Sequence, residues 1–176
     1  MVIMPRKALI VVDMLNDFIR EDGALYCGKR AQEIIPFIKE KIYEFRREKS
    51  PIIFLQDSHD PDDPEFELFG KHCVTGSEGA KIIEELEVKN EDYIVPKKTY
   101  DGYYNSDLGK ILKENQIEEV HLVGVCTSIC VMETSSSLAK RGYKLVIYKN
   151  GVADFDPEAH DFALKHMEKI YGAEIA

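Results

Sequence analysis

The sequence predicts an α/β fold of three layers, αβα, around a mostly parallel Rossmann-like sheet. Two observations predict it. Short continuous aliphatic runs, which mark strands buried on both faces, alternate with amphipathic stretches at helical spacing. This alternation runs through the chain without a linker, repeat or low-complexity segment, the pattern of right-handed parallel crossovers. Residues 1–176 are therefore read as a single domain.

Each element has its own signal. The β-branched run 8–12 reads as the first strand, and 30–49 as a helix, because Ile34, Ile35, Ile38, Ile42 and Phe45 share one face. Residues 51–56 read as the second strand. A loop rich in Asp, Pro and Gly follows, then a short helix at 80–86 and a third strand at 92–96. A helix is expected at 106–115 with Ser106 as its N-cap, and a fourth strand at 119–125. Residues 128–140 read as a helix closed by Gly142, 143–148 as a fifth strand and 157–170 as the last helix.

Composition narrows the function. A chain of 176 residues, 44% apolar and 31% charged, suits one globular core rather than disorder. Its net charge of −9 repels polyanions and anionic lipid, and no basic patch offsets it, so no nucleic-acid or membrane partner is expected. The opening Met1-Val2-Ile3-Met4-Pro5-Arg6-Lys7 lacks a long apolar run, and no stretch long enough to span a membrane follows, so the expected address is cytoplasmic. The four cysteines, Cys27, Cys73, Cys126 and Cys130, form neither a disulfide framework nor a Cys-x-x-Cys pair.

Ligands of open parallel sheets bind beyond the carboxyl ends of the strands. Asp13 follows the first strand, Asp57 and His59 the second, Lys97 the third, and Cys126 to Cys130 the fourth. Taken singly, each has a plainer reading: Asp13 as a turn residue, Lys97 as a solvated lysine, Cys130 as a small buried hydrophobe. Together an aspartate can take a thiol proton and a lysine can hold developing negative charge. Cys130 falls at a strand, turn and helix start, where free N–H groups are expected to lower the thiol pKa and stabilise an oxyanion. Asp57, His59 and His72 offer a carboxylate and two imidazoles, which suit one divalent metal ion: zinc, or iron or manganese in an octahedral site. The plainer alternative is a loop of solvated acids and packing histidines.

Four motifs in order carry a resemblance. Val11-Val12-Asp13-Met14-Leu15-Asn16-Asp17-Phe18, His72-Cys73-Val74-Thr75-Gly76-Ser77-Glu78-Gly79-Ala80, the segment from Lys97 through Tyr100 to Leu108, and Gly124-Val125-Cys126-Thr127-Ser128-Ile129-Cys130-Val131 resemble the isochorismatase-like cysteine hydrolases, and most of all their nicotinamidase (pyrazinamidase) branch. The resemblance implies a triad of Asp13 as base, Lys97 as electrostatic partner and Cys130 as nucleophile. It implies metal ligands at Asp57, His59 and His72, with Glu65 matching a further carboxylate of some relatives. It also implies a cis peptide between Val125 and Cys126, an oxyanion hole from the Cys126 and Cys130 amides, and aromatic walls at Phe18, Phe69 and Tyr100. The implied activity is hydrolysis of nicotinamide to nicotinate and ammonia through a cysteine thioester, in a homo-oligomer. The chain departs from relatives in lacking tryptophan, in Asp101-Gly102 after the tyrosine, and in Cys126, whose thiol is expected near Cys130. These departures leave the triad intact but leave open another small amide or carbamoyl substrate; a non-catalytic binding protein on the same scaffold is a separate alternative, which loss of a triad member would mark. Cys27 reads as loop packing, Cys73 is left out of the ligand set, and His121, His160 and His166 receive no role.

Overall fold

Lys7–Val12 (β1) is a central strand because both of its faces are buried: Leu9 and Val11 join one core, and Ala8, Ile10 and Val12 the other. The structure, a computed structural model, describes residues 4–176; Met1 to Ile3 of the opening segment lie outside the described residues. After β1 come α1 (Asn16–Ile19), α2 (Lys29–Glu33), α3 (Ile35–Arg47), β2 (Ile52–Asp57), α4 (Phe66–Phe69) and β3 (Tyr93–Lys97). The second half holds α5 (Leu108–Glu114), β4 (Glu119–Val125), α6 (Met132–Lys140), β5 (Lys144–Ala153), α7 (Pro157–Tyr171) and β6 (Glu174–Ile175). The six strands lie in the order β3-β2-β1-β4-β5-β6, and every pairing is parallel.

Helix α3 covers one face of the sheet through Ile38, Ile42 and Phe45, while α5, α6 and α7 cover the other through residues such as Leu112, Leu138 and Met167. The chain builds outward from β1 to β3 and then returns to β4 on the other side of β1. That reversal opens a crevice at the carboxyl ends of β1 and β4. No described helix is long and apolar enough to cross a membrane.

Several elements differ from the sequence expectation. The helix expected at 30–49 breaks at Ile34, because Pro36 has no N–H to offer the carbonyl of Gln32 and instead sits in the first turn of α3. Residues 80–86 do not form a regular helix: the Asn16 and Ile83 N–H groups bond to Lys81 O and Met14 O at 2.9 and 3.0 Å, which holds this stretch extended beside Leu15, and only Glu84–Leu86 turns helically. Ser106 supports α5 from just outside, its Oγ accepting from Leu108 N at 3.2 Å. The helix expected from 128 opens with a wide turn over Thr127–Val131, in which Val131 N reaches back to Cys126 O at 3.2 Å. Strand β5 continues past Tyr148 to Ala153. The two-residue β6 adds a sixth strand, tied by Ala176 N to Ile147 O at 2.9 Å and Lys149 N to Ala176 O at 3.0 Å.

The contact between β1 and β4 depends on Gly124. Its φ is +118°, and a Cβ there would lie 2.1 Å from the Val12 carbonyl oxygen. Gly124→Ala should cost roughly 3 kcal/mol in urea unfolding, from backbone strain and displaced strand together; a loss too small to detect would show that β1 and β4 can separate freely.

Candidate active site

The strand ends deliver their polar side chains to one point. Asp57 and Lys97 end β2 and β3 in direct register. Asp13 leaves β1 in a left-handed conformation, φ +51°, that turns its carboxylate inward, where Oδ1 accepts from Asp57 N at 2.9 Å. Lys97 Nζ lies 2.9 Å from Asp13 Oδ2, bonds to Asp57 Oδ1 and to Thr99 O at 3.0 Å, and reaches Cys130 Sγ at 3.4 Å. All four groups are buried. Asp13 Oδ2 has no aligned hydrogen-bond donor despite its closeness to Lys97, and a carboxylate oxygen of Asp13 lies within 4.8 Å of the Cys130 sulfur.

Burial and the neighbouring Asp57 carboxylate raise the Asp13 carboxyl to about 6, against the opposing pull of Lys97. Burial alone would discharge Lys97, but Asp13, Asp57 and Cys130 together hold its ammonium well above the ordinary lysine value. Burial pushes the Cys130 thiol well up; Lys97 pulls it back, and Asp13 and Asp57 add to the rise. The expected lowering of this thiol by its helix start is therefore corrected. The π-type turn carries the sulfur into an enclosed site facing two carboxylates, so the resting proton stays on sulfur.

A second cluster adjoins the first. Asp57, His59, Glu65 and His72 bring one ligand atom each to within 4.8 Å of one another. His59 Nε2 lies 3.3 Å from Asp57 Oδ2 and 3.2 Å from Glu65 Oε2, and His72 Nε2 lies 3.3 Å from Glu65 Oε2. The Nδ1 atoms bond elsewhere, His59 to Asp63 Oδ2 at 2.9 Å and His72 to the Gly70 carbonyl at 2.7 Å. A carboxylate and a carbonyl only accept, so Nδ1 carries the proton in both rings and Nε2 is the atom free to ligate. His59 N and O bond to Cys73 O and Thr75 N, both at 2.9 Å, which seats the His72 loop beside His59. Burial opposes charge on His59, yet Asp57, Glu65 and Asp63 raise it to about 10; Glu65 falls to about 2 under the two imidazoles despite its own burial. The donor set carries excess negative charge aimed inward and fits a divalent cation.

A cleft runs over both clusters, lined by Asp13, Cys130 and the expected Phe18, Phe69 and Tyr100. Phe18 meets His72 with ring centroids 5.6 Å apart, and Phe69 meets Tyr100 edge-on at 6.3 Å. Leu25, Ile129 and Phe155 complete the wall, and none of these was singled out from the sequence. Cys27, packed on its loop as expected, also lines it. The sulfur that Cys126 meets is that of Cys27, at 3.5 Å. The Val125-Cys126 peptide is cis. Beyond the cleft, Asp154 Oδ2 accepts from Ser128 N and Oγ at 2.8 and 2.7 Å, and His160 Nδ1 bonds to Thr127 Oγ1 at 2.8 Å, anchoring the turn that carries Cys130 to the end of β5 and to α7. Asp63, Phe66, Asp154 and His160 are contributions the sequence reading did not reach. Phe66 packs edge-on against both imidazoles, at 5.5 and 5.6 Å.

Comparison with known proteins gives the site its context. The model of the isochorismatase domain matches residues 7–176. The chain belongs to the isochorismatase family. Among solved isochorismatase-family structures, that of nicotinamidase PncA from Bacillus subtilis is similar at 37% identity and a TM-score of 0.91, over 97% of this chain and 99% of that one. That of N-carbamoylsarcosine amidase from Thermoplasma acidophilum is 33% identical, with a TM-score of 0.88 over 97% and 95%. A pyrazinamidase of Pyrococcus horikoshii in complex with zinc is 30% identical, with a TM-score of 0.91 over 98% and 99%. The protein is thus an isochorismatase-family hydrolase.

Replacing Lys97 by Met should leave two buried carboxylates without their cation. The variant is expected to lose about 3–5 kcal/mol in chemical denaturation, and wild-type stability would mean that the ion-pair cluster does not hold the site together.

Proposed function

We propose that this protein is a metal-dependent amidohydrolase that converts nicotinamide to nicotinate and ammonia, a salvage step for pyridine nucleotides. The observation that carries the reading is the double duty of Asp57, whose Oδ1 meets Lys97 while Oδ2 faces the two imidazoles. One carboxylate thus joins a thiol, base and lysine cluster to a metal-type donor set. Asp57, His59, His72 and Glu65 would hold the ion, zinc first, in keeping with the zinc complex of the Pyrococcus relative. A divalent metal there supplies a Lewis acid able to anchor a ring nitrogen.

The chain's own groups account for the rest. As the Cys130 sulfur attacks the carboxamide carbon, its proton passes to the Asp13 carboxylate. The Cys126 and Cys130 N–H groups are assigned to the oxyanion that forms, and Lys97 holds the charge on Asp13 and sulfur steady. Asp13 returns the proton to nitrogen, the C–N bond breaks and ammonia leaves. A water then gives a proton to Asp13 and attacks the thioester, releasing the acid and restoring the thiol. Phe18, Phe69 and Tyr100 pack the ring and keep bulk water out.

The similarity to an N-carbamoylsarcosine amidase supports a second reading, a carbamoyl or other small amide substrate. The cleft wall favours the first: among the described residues that line it there is no arginine or lysine, and its apolar side chains suit a neutral aromatic amide. The proposal includes a cytoplasmic address, which four unpaired cysteines support. It also includes self-assembly, for which the exposed Phe162 and Ile170 of α7 offer apolar surface.

An amide panel with nicotinamide, pyrazinamide and N-carbamoylsarcosine, run alongside metal analysis, tests the reading. Ammonia should appear from the first two, should stop on chelation, and should fall at least about 1000-fold in Cys130→Ala. Turnover of N-carbamoylsarcosine alone would select the second reading. Because Asp13 must be ionised to act and has a pKa of about 6, kcat/KM should hold level above that pH and drop about tenfold per unit below it. A profile flat down to the ordinary carboxylate range would remove Asp13 as the base.

A further inference from the structure

Outside the reacting groups, two more thiols face the same cleft. Cys27 and Cys126 are both buried, at 2% and 8% exposure, and both line the cleft wall. Their sulfurs lie 3.5 Å apart, in contact and sharing a hydrogen bond. They come from different parts of the fold. Cys27 sits on the loop after α1, where its N–H bonds to Phe18 O at 2.9 Å and its Sγ faces Leu25 O at 3.6 Å. Cys126 begins the turn that carries Cys130. A disulfide requires the sulfurs to approach by about 1.5 Å more, to a bond of about 2.05 Å.

We propose that Cys27 and Cys126 are a modification site, a dithiol that hydrogen peroxide oxidises to a disulfide and a thiol reductant restores, tying the loop wall of the cleft to the nucleophile turn. The oxidant enters by the opening that admits substrate. The Cys27 sulfur attacks one peroxide oxygen, the O–O bond breaks, and Cys27 becomes a sulfenic acid as the first water leaves. The Cys126 sulfur attacks the Cys27 sulfur, the S–O bond breaks, and a second water carries off the oxygen. Two thiols lose two electrons and two protons, and one peroxide becomes two waters. Cys27 takes the first step because the hydrogen bond to Cys27, together with burial, pushes the Cys126 thiol far up, leaving it a poor first nucleophile. The product fixes Cys27, and with it Leu25 and Phe18, against the start of the turn, while the Cys130 sulfur stays a free thiol.

The chemistry is independent of which amide is cleaved, so its test does not use activity. The whole protein is treated with one equivalent of hydrogen peroxide, denatured, alkylated with iodoacetamide, digested without reductant and mapped by mass. The expected product is a Cys27–Cys126 linked peptide lighter by two hydrogens, abolished by dithiothreitol, with Cys73 and Cys130 alkylated. In Cys27→Ser no linked peptide should form and Cys126 should be alkylated. The proposal is overturned if oxidation instead places oxygen on Cys130 with Cys27 and Cys126 both alkylated. It is equally overturned if Cys126 is found linked to Cys130, or if the loss of two hydrogens persists in Cys27→Ser.

Discussion

The Lys97 ammonium, buried between two carboxylates and a thiol, is the constraint on which the rest of the structure depends. Taking an ion out of water costs several kcal/mol even after relaxation, and only close, well-placed opposite charge offsets that cost. Here the offset comes from Asp13 and Asp57, which belong to different strands. Their positions follow from β1, β2 and β3 lying parallel in one register, with Asp57 opposite Lys97 and its N–H on Asp13 Oδ1. A slip of one residue in β3 would turn Lys97 to the opposite face and leave both acids unpaired. Strand register and site chemistry are thus one condition, met or lost together.

Much of this was legible in the sequence, because strands buried on both faces announce themselves as short aliphatic runs and a parallel sheet fixes which of their ends meet. That reasoning placed Asp13, Asp57, Lys97 and Cys130 on one rim before any contact was known. It failed where the deciding partner is distant in sequence. Residues 80–86 have a helical composition, but the backbone of Met14 and Asn16 recruits theirs. Strand β6 is too short to show a period and owes its place to Ile147 and Lys149. The helix-start argument for the Cys130 thiol was local, whereas burial and two carboxylates from other strands set its direction. Cys27 looked like a bystander because nothing near it in sequence indicates Cys126. One omission was avoidable: Asp63 stands four residues after His59, a spacing at which a carboxylate reaches an imidazole.

The two charged clusters are bound to each other through Asp57, and acids outnumber cations in each. The triad side has one cation for two buried acids, and the imidazole side has three acids around two rings. A positive ion among the imidazoles would draw Asp57 toward itself and leave Lys97 more fully to Asp13 and Cys130. Occupancy of one cluster thereby tunes the other without any movement of the backbone.

Of the four metal-type donors, Asp57 ends β2 and His59, Glu65 and His72 reside on the connection between β2 and β3, whereas Asp13 and Cys130 follow β1 and β4. This is a modular partition. The middle of the connection is a separate stretch of chain from the central pair of strands, joined to them through Asp57, through Cys73 N on Asp17 Oδ2 and through Asn16 N on Lys81 O. A scaffold divided in this way can change what it holds without relearning how it cuts.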